Sequence, residues 1–286
     1  MTHPMRHPDL EAPKPRDSNG VAGSRESGVG DSVALLAVHD LSMRFGGIIA
    51  LDGVSLKVAR GKICGLIGPN GAGKTTLFNC LSRLYIAQRG DIRFDGRPLA
   101  SVATHQLAAL GIGRTFQNLA LFGTMSVLEN VMIGTHTIAR GGFLVNALGL
   151  PFAKRQERLI RERAMSLLEE FALMGVAYAP VASLPFGTQK RVELARALAL
   201  EPKLVLLDEP AAGLNHEEVD ALRAEIQAIR DRRGVTVLLV EHHMNLVMRV
   251  SDQVVALDFG RVIADGTPAE VRENPDVVRA YLGDAN

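Results

Sequence analysis

The sequence predicts an α/β protein in which buried strands alternate with helices. Three observations carry that expectation. Ile63 to Ile67, Leu204 to Leu207 and Val235 to Val240 are short, continuous apolar runs, which suit parallel strands covered on both faces. The first run stops at Gly68 and passes into a glycine-rich turn, after which the pattern predicts a helix from Lys74 to about Leu84. In the middle of the chain Ile160, Ala164, Leu167, Leu168 and Phe171 recur at helical spacing with Arg and Glu between them.

Ahead of the first run, Val54, Leu56 and Val58 alternate with polar residues, and beyond the turn Ile92 and Phe94 do the same. This predicts half-buried strands and an N-terminal β region. Residues 1–34 are rich in Pro, Gly and Ser and poor in large apolar side chains. They are expected to form a disordered tail, because too little apolar surface is available to offset the ordering entropy. No internal repeat is visible.

Composition narrows the class. At 286 residues the chain holds one large domain or two small ones, and 47% hydrophobic with 22% charged residues suits a packed core. Lys and Arg total 32 against 31 Asp and Glu, a net charge of +1, which argues against a protein that coats nucleic acid and against wholesale disorder. No apolar run approaches the roughly 18–20 residues that cross a bilayer, and the N-terminus lacks the apolar segment of a secretion signal. The chain is therefore expected to stay in the cytosol without spanning a membrane itself. Cys64 and Cys80 have neither a CxxC spacing nor a nearby histidine, so two buried thiols are expected rather than a disulfide or zinc site.

Gly68-Pro69-Asn70-Gly71-Ala72-Gly73-Lys74-Thr75 matches the phosphate-binding pattern G-x-x-x-x-G-K-[ST] in its proper setting, after an apolar strand and before a helix. Glycines let consecutive backbone N–H groups converge on phosphate oxygens, and the helix adds its positive end. Lys74 is placed to reach the β- and γ-phosphates, and the Thr75 hydroxyl to bind Mg²⁺. Asp208 closes the run Leu204–Leu207, where such an ATPase holds its Mg²⁺, and Glu209 follows it as a candidate to polarise the attacking water.

The residues around these two motifs carry a more specific resemblance. Gln117, in Arg114-Thr115-Phe116-Gln117, resembles the Q-loop of ABC-type ATPases. Leu184-Pro185-Phe186-Gly187-Thr188-Gln189 resembles their signature, usually L-S-G-G-Q. Ala211-Ala212-Gly213-Leu214-Asn215 resembles the D-loop, Val240-Glu241-His242 the switch-histidine loop, and Phe45 stands where an aromatic side chain stacks on adenine. The LPFGTQKRVELARAL, DEPAAGLN and EHHMNLVM runs, with the ending NPDVVRAYLG, are together similar to the ATP-binding subunits of branched-chain amino-acid (Liv-type) importers. Relatives of that branch take up urea or short amides. The resemblance covers roughly Leu35 to Gly283.

It implies a P-loop NTPase core with an N-terminal antiparallel β region, one ATP-binding domain over 35–286 and an inserted helical subdomain over 117–191. It further implies that ATP is held by Phe45, Gly68, Asn70, Gly71, Gly73, Lys74, Thr75 and Thr76 of one subunit and by Leu184 and Gly187 of another. Mg²⁺ would fall to Thr75, Gln117 and Asp208, and catalysis to Glu209, His242 and Gln117. The implied partners are transmembrane permease subunits, a second ATPase subunit (in Liv-type importers generally a different chain) and, indirectly, a periplasmic or extracellular binding protein, with no nucleic acid. The implied place is cytoplasmic, peripheral on the inner face of the cell membrane.

Two departures bear on function. Pro185 replaces the usual signature serine and has neither hydroxyl nor backbone N–H, so the composite site it completes is expected to be the weaker of a pair. An apolar stretch, Gly141 to Phe152, precedes Lys154, Arg155, Arg158, Arg161 and Arg163. It reads either as a core-packed loop before a solvated helix face or as a surface facing anionic lipid or a permease. The competing classes are a non-transport ABC-type ATPase and an ATP-binding regulatory module. The first usually carries a long coiled-coil or zinc insertion that Gln117 to Leu184 is too short to hold. The second is opposed by intact Lys74, Asp208, Glu209 and His242.

Overall fold

The computed structural model describes residues 34–116, 119–135 and 151–282. The expected N-terminal tail up to residue 33, Gln117 and most of the Gly141–Phe152 stretch lie outside the described residues. In chain order the strands are β1 (Ala34–Phe45), β2 (Ile48–Ala59), β3 (Ile63–Ile67), β4 (Arg89–Phe94), β5 (Arg97–Pro98), β6 (Ile112–Arg114), β7 (Leu204–Asp208), β8 (Thr236–Val240), β9 (Gln253–Asp258) and β10 (Arg261–Gly266). The helices are α1 (Lys74–Leu81), α2 (Leu107–Leu110), α3 (Val127–Gly134), α4 (Pro151–Glu170), α5 (Phe186–Leu198), α6 (His216–Arg233), α7 (Met244–Val250), α8 (Pro268–Glu273) and α9 (Pro275–Leu282).

The strands form two sheets. A four-stranded antiparallel sheet runs β2-β1-β4-β5, and a six-stranded sheet runs β10-β9-β3-β8-β7-β6. In the second, β9, β3, β8, β7 and β6 are parallel, and β10 closes one edge antiparallel to β9. The continuous apolar runs are explained by burial on both faces. Ile63, Ile67, Val205, Leu207, Val237 and Leu239 point into a core shared with Leu167, Leu168, Val192, Leu222 and Ile226 of the helices. Their neighbours Cys64, Leu66, Leu204, Leu206, Leu238 and Val240 point the other way, toward Leu36, Val38, Leu51 and Val58 of the antiparallel sheet and Leu77 and Phe78 of α1. Each side chain of this kind contributes about 1.5–3 kcal/mol when fully buried, so the central strands are the stiffest support available to the loops at their ends.

Helix α1 is shorter than its pattern predicts, ending at Leu81 rather than near Leu84. The Ser82 hydroxyl donates to the Phe78 carbonyl at 2.7 Å, and Arg83 turns left-handed at φ 57°, which breaks the helix before the apolar pattern stops. Cys64 and Cys80 are free and buried, as expected. Burial pushes both thiols up, Cys80 to about 11 against a smaller opposing effect of Arg83.

Candidate functional site

Strand β3 delivers the loop Gly68–Thr75 and α1 carries it away, so the phosphate-binding pattern spans the join of a buried strand and a helix. Two of its glycines are required by geometry. Gly68 has φ 151° and a Cβ there would overlap the Leu257 carbonyl; Gly73 has φ 101° and its Cβ would stand 2.5 Å from the Ala50 carbonyl oxygen. Gly73 is also the N-cap of α1 and supplies no capping side chain, so the first-turn N–H groups stay open to an anion. The Lys74 ammonium bends back over the loop and donates to the Gly68 and Pro69 carbonyls at 2.7 and 2.9 Å. Burial holds its pKa below the usual lysine range, and the negative charge of Glu209 pulls in the opposite direction.

A cleft opens in front of this loop. Its lining combines Ile48, Ile49 and Ala50 of the β1–β2 hairpin, residues 70–76 of the loop and α1, and Glu209 with His242 from the ends of β7 and β8. Asn70, Gly71, Gly73, Lys74, Thr75, Thr76, Glu209 and His242 are thus brought together. Glu209 sits at φ 47°, a left-handed backbone that turns its side chain out of the strand line. His242 Nε2 lies 2.7 Å from Glu209 Oε1. A carboxylate hydrogen-bonded to an imidazole at the rim of an anion-binding loop suits activation of water toward a terminal phosphate.

Other expected site residues lie around the cleft rather than in its lining. Asp208 is buried at the end of β7, and its Oδ2 accepts from Arg114 at 2.9 Å. Phe45 is half exposed, with its ring edge-on to Tyr85 at a centroid distance of 5.3 Å, while Ile48 and Ile49 form the hairpin's share of the lining. Gln117 lies outside the described residues. Leu184 lies two residues ahead of α5, partly buried against the core, and Gly187 in the first turn of α5 lines a separate groove with Leu214, Glu218 and Leu222. Pro185 is the N-cap of α5, and its carbonyl accepts from Gln189 N–H at 3.0 Å. The N–H groups of Phe186, Gly187 and Thr188 consequently have no intrahelical acceptor. Asn215, in place of the usual D-loop aspartate, caps α6 by accepting from Glu218 N–H at 3.0 Å, a role in which Asn equals Asp.

Thr75 and Asp208 offer a hydroxyl and a carboxylate, and among the described residues no group of three or more His, Cys, Asp or Glu could hold a metal ion. That donor set fits Mg²⁺, which takes one or two protein oxygens and completes its shell with phosphates and water, and does not fit zinc.

Three features were not anticipated. The Arg114 guanidinium also donates to Ser82 Oγ at 2.6 Å and Asn79 Oδ1 at 3.1 Å, and it stacks over Phe116 at 5.1 Å. A lone arginine in an apolar strand was the available signal, since a buried cation must be paired. Glu193 of α5 accepts from Phe116 N–H at 3.1 Å. Burial raises its carboxyl pKa against the opposing hydrogen bonds of the Phe116 and Ala120 N–H groups and the charges of Lys190 and Arg196. The Tyr281 hydroxyl of α9 accepts from Gly68 N–H at 2.7 Å, tying the last described helix to the phosphate loop. No local pattern announces a bond across 213 residues.

A phosphate loop on a parallel strand, with an acidic strand end and a carboxylate–imidazole pair at its mouth, defines a P-loop nucleoside triphosphatase. Comparison with known proteins gives the family. Residues 51–212 match the family described as ABC transporter, and residues 261–285 match that described as branched-chain amino acid ATP-binding cassette transporter. The high-affinity branched-chain amino acid transport ATP-binding protein BraF of Pseudomonas aeruginosa is 45% identical over 88% of this chain and 98% of its own. The corresponding protein LivG of Escherichia coli K12 is 41% identical over 89% and 100%. Among solved structures, the ADP conformation of an ATP-binding cassette of an ABC transporter superposes with a TM-score of 0.76 at 30% identity, covering 88% of this chain and all of that one. The chain belongs to the ABC transporter family and is one of its ATP-hydrolysing cassettes. No helix among the described residues is long and apolar enough to cross a membrane.

Proposed function

We propose that this chain is the ATP-hydrolysing subunit of an importer of branched-chain amino acids or a related small ligand. It would work at the inner face of the cell membrane with transmembrane permease subunits and, indirectly, an extracytoplasmic binding protein. The observation that carries the reading is the division of the site. Lys74, Glu209 and His242 line one cleft, whereas Gly187 of the signature lines a separate groove. A cassette built this way needs a second ATPase subunit, identical or different, to bring a signature to each phosphate loop. The substrate class is supported by the relatives, two of which are branched-chain amino acid transport proteins matching nearly their whole length.

In this reading the domain spans 35–286, with 117–191 as its helical subdomain and 1–34 as a tail. The loop amides and Lys74 neutralise charge on the phosphates, where most catalysis of phosphoryl transfer lies. Thr75 and Asp208, with Gln117, would hold Mg²⁺, which would supply neutralisation of phosphate charge when bound. Glu209 takes the proton of the attacking water, and His242 holds that carboxylate and faces the γ-phosphate. Phe45 packs against adenine beside Ile48 and Ile49.

Replacing Glu209 by Gln removes the base while keeping the shape. We expect ATP turnover to fall by about 10²–10⁴-fold with nucleotide affinity retained, and leucine uptake by cells carrying only this variant to be lost. Turnover at the wild-type rate overturns the base assignment. Full turnover loss with leucine uptake intact overturns leucine as the cargo.

A further inference from the structure

Glu241 is 1% exposed and lies directly behind the catalytic pair. Its two carboxylate oxygens hold different loops. Oε1 accepts from Ala211 N–H at 2.6 Å, in the loop that follows Glu209, and Oε2 accepts from His242 N–H at 3.0 Å and His243 N–H at 3.3 Å. Beside this clasp Glu209 N–H donates to the Val240 carbonyl at 2.9 Å, so the ends of β7 and β8 are tied before the two side chains meet. We propose that Glu241 is a positioning residue for hydrolysis, a single buried carboxylate that fixes the backbones of both loops so that His242 meets Glu209 at 2.7 Å.

The chemistry favours a carboxylate here. It has only acceptors, and its neighbours on this side are three backbone N–H groups. Hydrogen bonds from N–H to a carboxylate are shorter and stronger than neutral ones. Such bonds suit a clasp that must hold after each turnover. Glutamine offers one oxygen and must turn its NH₂ toward at least one of these donors, so it can hold one loop and not both. Aspartate keeps both oxygens but lacks the reach. A residue filling space alone would show none of this division of acceptors between loops.

The inference rests on Glu209 and His242 acting as the hydrolytic pair, so the test carries both controls. In the full-length protein, kcat, KM for ATP, affinity for a non-hydrolysable ATP analogue and the melting temperature are measured for Glu241→Gln, Glu241→Asp, Glu209→Gln and His242→Ala. Misplacing reacting groups by about 1 Å costs on the order of 10²-fold. We expect Glu241→Gln to lower kcat by about 10–100-fold with KM and analogue affinity within about twofold of wild type. Combined with His242→Ala, it should add little to the loss from His242→Ala alone, because both act through one contact. Wild-type kcat in Glu241→Gln, or additive losses in the double variant, overturns the proposal while leaving the pair intact. Wild-type turnover in Glu209→Gln and His242→Ala overturns the underlying reading instead. Should Glu241→Gln not fold, Glu241→Asp decides by the same split. If both variants lose analogue binding together with turnover, Glu241 is only a structural carboxylate and the proposal falls.

Discussion

In the proposed function the phosphate loop and the signature segment share one task, contacting nucleotide phosphates, and the chain builds them in opposite ways. Around the phosphate loop nearly every charged group has an internal partner. Lys74 is held by two carbonyls, Asp208 by Arg114, Glu209 by His242 and Glu241 by three N–H groups. At the signature, Pro185 caps α5 without a side-chain bond, Phe186 is 45% exposed, and the following N–H groups have no intrahelical acceptor. The difference teaches which half is finished within the chain. The loop is preorganised by its own core, whereas the signature ends in first-turn N–H groups without intrahelical acceptors, which in the proposed function meet the phosphate held by a second subunit.

The largest effect expected from this contrast comes from Gly187→Asp. An acidic residue in the first turn suits the helix dipole, but its Cβ would overlap Glu218 Oε1, so the Glu218 side chain must swing away and the melting temperature is measured alongside turnover. The added charge nevertheless repels the phosphate that these N–H groups would meet. Removing one such donor from a preorganised site costs about 10²–10³-fold in rate, and steady-state turnover should fall by at least that much. ATP affinity of the lone chain should not change, because Gly187 lies away from its cleft. An equal loss of affinity, measured by fluorescent-nucleotide titration, would break the contrast by showing that the signature serves its own loop. Pro185 sharpens it further. The open Phe186, Gly187 and Thr188 N–H groups survive the proline, so the expected weakness of this composite site rests on the missing hydroxyl and one missing N–H.

Between the two halves runs a strap whose effect is smaller and depends on pH. Glu193 of α5 holds Phe116 N–H, and Arg196 of the same helix donates to the Ala120 carbonyl, so both sides of the Gln117 segment are fastened to the signature helix. Burial raises the Glu193 pKa. A carboxyl raised in the folded state binds its proton more tightly there than in the unfolded chain. Its contribution to stability is whole below the unfolded value of about 4.3 and is lost as pH rises through the folded value. Glu193→Gln has no such loss, so its denaturation midpoint relative to wild type should rise between pH 4 and pH 7. A difference that stays flat or falls would mean that the Lys190 and Arg196 charges outweigh burial and that the strap is an ion pair.

Legibility in the sequence follows the range of the interactions. The central strands β3, β7 and β8 were readable because burial on both faces leaves a local mark, an unbroken apolar run. The loop glycines were readable because a fixed backbone geometry demands them at fixed spacing. The share of the cleft lining given by residues 70–76 and Glu209 followed from these two, His242 from the family resemblance, and Ile48, Ile49 and Ala50 from neither. What could not be read was the choice of partner across the fold. Arg114 with Asp208 is a pairing across 94 residues, and Glu241 with Ala211 one across 30. Phe45 shows the limit from the other side. Its place ahead of the loop could be read as an adenine contact, but not its edge-on pairing with Tyr85, nor that Ile48 and Ile49 would share the cleft wall.

The smallest effect is expected at the back of the finished half, where α9 touches the loop. Tyr281 accepts from Gly68 N–H, and Gly68 is the residue at which β3 gives way to the loop. Burial raises the phenol's pKa, the Gly68 hydrogen bond opposing, so the hydroxyl remains a protonated, neutral acceptor across the physiological range. Tyr281→Phe deletes one neutral hydrogen bond and leaves the Gly68 N–H to find water, a change worth about 0.5–1.5 kcal/mol. Because the loop is otherwise held by Lys74 and by the tight packing of Gly68 and Gly73, most of that loss should appear as a lower melting temperature and less than a tenfold weakening of ATP binding. A larger drop in affinity with the melting temperature unchanged would show that α9 sets the shape of the phosphate loop. The finished half would then depend on the end of the chain as strictly as the signature depends on a partner.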